Sequence, residues 1–187
     1  MAQAAELARG AGLSLHLDGA RAFNAAVAHG LSLAEVCEPY DTVSLCFSKG
    51  LGAPVGSVLV GDEAAITRAH RARKMLGGGM RQVGILAAAC QYAMEHHVAR
   101  LAEDHANAAR LAQGLAQIEE LAVEEVATNM VFVAVPPGRC APLRQALADE
   151  GVLAAVAPRT RLVLHLDVTV AGVDRAVQAF KAYFAGL

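Results

Sequence analysis

SLCFSKGLGAPVGS, residues 44–57, reads as a short apolar strand that ends at Lys49, followed by a loop carrying Gly50, Gly52, Pro54 and Gly56. Glycines let a backbone come close to a flat partner, and a surface lysine needs no such setting. Taken alone, SKG is also compatible with a solvated loop lysine. The stretch upstream narrows the choice. In LSLHLDGAR, residues 13–21, Leu13, Leu15 and Leu17 alternate with Ser14, His16 and Asp18, which predicts a half-buried strand with one polar face. Asp18 closes that strand and Gly19 follows it, at the end of an open α/β sheet where ligands bind. An aspartate at a strand-to-helix turn can equally cap the helix. Two strands that end in a carboxylate and an amine point to one pocket facing both.

Working outward, strand and helix signals alternate. Strands are predicted near 13–18, 42–47, 56–60, 122–127, 129–135, 151–156 and 161–166. Helices are predicted at 20–29, 32–37, 62–75, 82–101, 103–118, 139–150 and 172–185. Asp62 is placed to cap the helix after it, whose last turns carry Arg71, Arg73 and Lys74. Val83, Leu86, Cys90, Met94, His97 and Leu101 recur at helical steps, which predicts one continuous packed face. The chain divides into a partial large domain, residues 1–102, and a small α/β domain, residues 103–187, with PPG at 136–138 as a connector. MAQAAELARGAG leads straight from helix into strand, as though the sequence opened partway through an αβ repeat, so a fragment is expected.

Composition bounds the class. With 187 residues, 55% of them hydrophobic, the chain can bury one core and a smaller second unit. Sixteen basic and eighteen acidic residues leave a net charge of −2, which implies neither a nucleic-acid nor a membrane partner. No apolar run approaches a membrane span. Cys37, Cys46, Cys90 and Cys140 form no C-x-x-C pair, so reduced thiols in a cytoplasmic setting are expected, and no metal-ligand pattern shows.

Pyridoxal phosphate is a cofactor that needs an amine and a carboxylate in one pocket: a lysine bonds its aldehyde, and a carboxylate keeps its ring nitrogen protonated. Here the sequence resembles a known family. HLDGARAFNAA, SKGLGAPVGSVLVG, RKMLGGGMRQVGILAA, TNMVFV and RLVLHLDV are similar, in order, to the motifs of the low-specificity L-threonine aldolases, pyridoxal phosphate enzymes of fold type I in the β-eliminating lyase group. The resemblance implies the C-terminal part of a type I large domain plus a small α/β domain. It implies cleavage of threonine and allo-threonine, small β-hydroxy-α-amino acids, to glycine and acetaldehyde, by a homo-oligomer, dimer or tetramer.

Carried onto this sequence, the match implies that Lys49 bonds the cofactor and Asp18 pairs with its ring nitrogen. It implies that Arg21 and Arg161 hold the substrate carboxylate, with Arg21 also beside the cofactor. A guanidinium fork suits a carboxylate, and positions 161, 163, 165 and 167 share a face if the strand runs that far. Arg161 could instead pair with Asp167. Arg81 matches a residue that reaches the cofactor phosphate across a subunit interface, and Lys74 matches a substrate-binding neighbour of that site; a cluster of charges at a helix end is the alternative for both. His16 and His165 read as supporting strand histidines.

The family also has a ring-stacking histidine and a glycine-containing phosphate loop upstream of the DGAR strand. Residues 1–12 contain no histidine and are too few to supply both. An inactive remnant that serves in assembly is therefore one alternative to the aldolase. Another type I lyase is a second, against which GGGMRQ argues.

Overall fold

The computed structural model describes residues 2–186 and divides into two compact units, Met1–Ala99 and Arg100–Leu187. The division expected after residue 102 falls inside a helix that begins at Leu101, so the units part ahead of that helix.

In the first unit, α1 (Ala2–Gly10) leads to β1 (His16–Gly19), then α2 (Ala22–His29) and α3 (Leu33–Cys37). The strands β2 (Thr42–Cys46) and β3 (Ser57–Gly61) follow, then α4 (Glu63–Met75) and α5 (Gly84–His96). The starts and stops are written in the sequence. Gly30 takes φ +64 and closes α2 by donating its N–H back into the helix. Ser32 and Glu35 form a reciprocal capping box at the start of α3. The Asp62 side chain accepts from the Ala65 N–H at 2.6 Å, so the expected cap of α4 is present.

The first sheet has the order β1-β2-β3, with β1 and β2 parallel and β3 antiparallel to β2. Paired residues share a face, so His16, Asp18, Thr42, Ser44, Cys46 and Ser57 stand on one side. The opposite side carries Val43 and Leu45, buried along with Phe23, Ala26, Val36 and Phe47. Every residue of β3 is exposed.

The second unit runs α6 (Leu101–Leu115), β4 (Ala122–Ala127), β5 (Met130–Ala134), a 3-10 turn at Pro137–Arg139, α7 (Cys140–Asp149), β6 (Arg159–Val163) and α8 (Val170–Ala185). Its sheet, β4-β5-β6, is antiparallel throughout. Val131, Val133, Leu143, Leu147, Val173 and Phe180 form a closed core with the facing sides of the three helices.

Three expectations are corrected. Residues 152–157 form no strand: Gly151 at φ +74 turns the chain out of α7, and Pro158 has no N–H to give a ladder, so pairing begins only at Arg159. The last strand ends at Val163, because Val168 N–H bonds back to His165 O and folds 165–168 into a turn. Positions 165 and 167 therefore do not share a strand face with 161. The helix expected over 82–101 stops at His96, and Leu101 belongs to α6. Its expected packed face is not buried within this unit: Val83 and Met94 are 44% and 47% exposed, and Ala93 is the buried residue of α5.

Candidate active site

In the parallel pair, Asp18 stands opposite Ser44 and Gly19 opposite Leu45, so both strands finish at the same edge. Asp18 is the penultimate residue of β1, and Lys49 follows three residues after β2 ends. The Asp18 carboxylate accepts from the Ala20 N–H at 3.1 Å, a local turn bond. No side chain caps α2, so the helix-cap alternative for Asp18 is not what the aspartate does. Gly19 is required where it is: a Cβ there would lie 2.6 Å from Ser44 O, 3.2 Å from Leu45 Cδ2 and 3.3 Å from Ala22 Cβ. The glycine lets β1 turn into α2 directly against β2.

Lys49 opens a tight turn. Gly52 N–H donates to Lys49 O at 2.9 Å, Ala53 N–H to Phe47 O at 3.0 Å, and Phe47 N–H to Gly56 O at 3.0 Å. Gly50, Leu51 and Ala53 are buried while Lys49 itself is exposed, so the turn is anchored through its backbone and its apolar tip, leaving the amine outward. Gly52 adopts φ +70, a conformation that favours glycine. Phe47 packs against Phe23 with ring centroids 5.6 Å apart, which ties the start of the lysine turn to α2.

The polar face carries a second chemical signature. Burial pushes the Cys46 thiol up, but the Ser48 hydroxyl and backbone N–H, the Lys49 charge and Ser57 together bring it below the ordinary thiol value. On the same face His16 Nδ1 lies 2.9 Å from Thr42 Oγ1, which makes His16 a tethered strand histidine.

Arg21 is half-buried at the residue before α2 and its carbonyl accepts from Ala25 N–H. Lys74 is exposed in the last turn of α4, and Arg81 is exposed in the connection from α4 to α5. Gly78 N–H returns to Arg73 O at 2.8 Å, and a Cβ on Gly79 would meet Lys74 Cδ at 2.8 Å, so the glycines let the loop fold back over the end of α4. Gln82, just after Arg81, takes φ +51, an uncommon conformation for a residue with a side chain.

Arg161 belongs to the second unit. It stands opposite Phe132 in the β5–β6 ladder, beside Arg159, whose guanidinium lies 4.4 Å over the Phe132 ring. It also lines a cavity of about 620 Å³ with Leu153, Arg175 and Phe180. Asp167 is 3.5 Å from His165 Nδ1, and no ion pair within 4.0 Å joins it to Arg161 among the described residues. Register thus brings Asp18 and the Lys49 turn to one sheet edge, and among the described residues of the first unit no ion pair within 4.0 Å joins Asp18 to Arg21, Lys49, Lys74 or Arg81.

Residues 1–136 match the model of the beta-eliminating lyase family. The chain belongs to that family. It is 46% identical over 185 residues to the low specificity L-threonine aldolase of Escherichia coli (strain K12), an alignment covering 98% of this chain and 55% of that protein. To the low-specificity L-threonine aldolase 1 of Arabidopsis thaliana it is 40% identical, covering 94% of this chain and 51% of the relative. Among solved structures, the threonine aldolase of Leishmania major is similar at TM-score 0.75 and 20% identity, over 96% of this chain and 54% of that one. A serine palmitoyltransferase from S. paucimobilis with bound PLP-myriocin is similar at TM-score 0.74 and 20% identity, over 97% and 50%. The beta-eliminating lyase chain thus has the α/β fold of these structures, and it spans about half the length of the relatives it matches.

Sequence reading missed two residues near the lysine turn. His97 and Cys90 belong to the stripe whose spacing predicts a packed helix face, yet His97 Nδ1 lies 2.6 Å from Leu51 O and Cys90 Sγ lies 3.5 Å from Val55 O. The only advance signal was that a histidine and a cysteine are poor members of a purely apolar stripe.

Proposed function

We propose that the chain takes part in pyridoxal phosphate-dependent cleavage of L-threonine and L-allo-threonine to glycine and acetaldehyde, a carbon–carbon lyase reaction of threonine breakdown and glycine formation. The observation that carries this reading is the parallel register that ends β1 at Asp18-Gly19 beside β2 and its Lys49 turn. The donor set fits the cofactor. An outward amine, a carboxylate on the same sheet edge and a glycine with no room for a Cβ are what an aldehyde-bearing, nitrogen-protonated flat ring requires.

When bound, the cofactor supplies an electron sink for the carbon left by the departing aldehyde. Lys49 holds it through its amine, and Asp18 keeps a proton on the ring nitrogen. Arg21 and Arg161 orient the substrate carboxylate by paired N–H donors, so that the bond to be broken is presented in one geometry. Arg81 serves the phosphate from a neighbouring subunit, and Lys74, a neighbour of that site, serves the substrate. The exposed Met75, Leu76, Met80, Val83 and Ile85 around Arg81 support a homo-oligomer, a dimer or tetramer. The site of action is the cytoplasm. Among the described residues no helix is long and apolar enough to cross a membrane.

The chain has three lysines, Lys49, Lys74 and Lys181. Incubation with pyridoxal phosphate, borohydride reduction and peptide mass analysis should place the phosphopyridoxyl group on Lys49. Attachment at Lys74 or Lys181 instead would sink the assignment, and a coupled acetaldehyde assay with threonine and allo-threonine tests the reaction itself.

A further inference from the structure

The helix α5 reaches the lysine turn at two carbonyls. His97 Nδ1 is 2.6 Å from Leu51 O, and Cys90 Sγ is 3.5 Å from Val55 O. Leu51 is the third residue of the turn that Lys49 opens, and it is 2% exposed. Its carbonyl could not point inward unpartnered without losing the hydrogen bond that water would have given it. A carbonyl oxygen only accepts, so Nδ1 of His97 carries the hydrogen. The ring is held edge-on to Tyr92, with centroids 5.6 Å apart and planes at 87°, and His97 itself sits where α5 ends, its N–H donating to Ala93 O. Packing against Gly56 completes the attachment: a Cβ there would come within 2.9 Å of Cys90 Sγ, so the far arm of the turn rests on the helix.

We infer that His97 is a positioning residue for Lys49, holding the Lys49–Gly52 turn through the Leu51 carbonyl so that the amine stands in one place. This rests on the reading of Lys49 as the cofactor-bearing lysine. The other restraints on the turn are its buried tip at Gly50, Leu51 and Ala53, the backbone bonds within residues 47–56, and the Cys90 contact to the far arm; among these, the imidazole is the side-chain donor to the tip. Without the imidazole donor, the Leu51 carbonyl must turn outward to water and carry the backbone between Lys49 and Gly52 with it. The imidazole touches neither cofactor nor substrate in this role; it acts only through the turn.

The test compares the 187-residue chain with His97→Leu, which keeps apolar bulk and removes the donor, and with His97→Asn, whose side-chain amide can donate from nearly the same point. Amide hydrogen exchange at Gly52 and Ala53 should quicken roughly two- to tenfold in His97→Leu, the range for losing one net hydrogen bond, with the β1 and β2 amides unchanged. The rate of phosphopyridoxyl attachment at Lys49, measured against Lys181 in the same sample, should fall, and His97→Asn should restore both readouts. Wild-type behaviour of His97→Leu, equal defects in both variants, or loosening spread evenly through β1 and β2 would overturn the inference. The imidazole ¹⁵N spectrum of the unsubstituted chain is a second arm that needs no variant to fold: a protonated Nδ1 is expected, and a hydrogen on Nε2 alone overturns it. Attachment at Lys74 in the unsubstituted chain would sink the proposed function, while exchange at Gly52 would still decide whether His97 holds the turn.

Discussion

Replacing Gly19 by alanine adds one methyl group at the point where β1, β2 and α2 meet. The added Cβ would sit 2.6 Å from Ser44 O, and ordinary contact begins at 3.4 Å, so the strands must part by about 0.8 Å or β1 must tilt. Neither is easy. Ser44 O is backbone in the central strand, and relief sideways is blocked by Leu45 Cδ2 at 3.2 Å and Ala22 Cβ at 3.3 Å, both on buried residues. Overpacking of this kind costs about 1–3 kcal/mol. Against it stands the loss of unfolded-state freedom when glycine becomes alanine, worth about 0.4–1 kcal/mol in favour of the fold where the backbone permits. The net expectation is a destabilisation of about 1–2 kcal/mol.

Gly84→Ala is the matched control, because nothing lies within 4 Å of a Cβ there and the residue begins α5. It should be neutral or slightly stabilising. Urea unfolding of both variants gives the comparison, and phosphopyridoxyl attachment at Lys49 reports the site. Gly19→Ala should slow attachment as well, because the residue before it is Asp18 and the displacement carries that carboxylate off its register with Ser44. A Gly19→Ala midpoint equal to or above that of Gly84→Ala would refute the reasoning, since the close approach to Ser44 would then have no cost.

Arg161→Ala should lower the efficiency of substrate use by about 2–5 kcal/mol while attachment at Lys49 persists; loss of attachment with substrate use intact would contradict a substrate-carboxylate role. Arg100→Met should destabilise the second unit by about 3–5 kcal/mol in urea unfolding, because Asp104 is fully buried and accepts from Arg100 at 2.7 Å. Hydrogen bonds from Arg110 hold the Asp174 carboxyl below its ordinary 3.8, so the unfolded state binds protons first as pH falls. The contribution is present above that value and disappears as acid takes the pH through the folded one, and the fall in unfolding midpoint should be shallower in Arg110→Met.

The alternation in SLHLD located β1 and its polar face, although pairing begins only at His16 and not at residue 13, and the Gly-Pro loop after Lys49 placed the end of β2, because period and breaker residues are local properties of the chain. Capping was legible for the same reason: Asp62 needs only the three residues after it. The strand expected at 151–156 was wrong because VLAAVA has strand composition but its pairing is decided elsewhere, by a turned Gly151 and by Pro158. Residues 82–101 read as one helix because their periodicity survives the break; the helix stops at His96, and the next residue, His97, bonds to a loop 46 residues away that local periodicity does not reveal. Arg161 was legible as a residue type but not as a place, since the face it shares depends on where β6 stops.

One physical conflict runs through the first unit. The β1–β2 face that holds Asp18, Ser44 and Cys46 is polar, and the opposite face carries the buried Val43 and Leu45. A polar face cannot close a core, so that side of the sheet contributes little to burial, and the apolar β3 beside it is exposed at every position. The second unit packs one face of its sheet against three helices around Phe180. The turn bearing Lys49 is secured by its buried tip and, at its carbonyls, by bonds from Gly52, Ala53 and the imidazole of His97, while the lysine itself stays exposed. Directional bonds can hold a reactive amine in place without covering it, which burial cannot do.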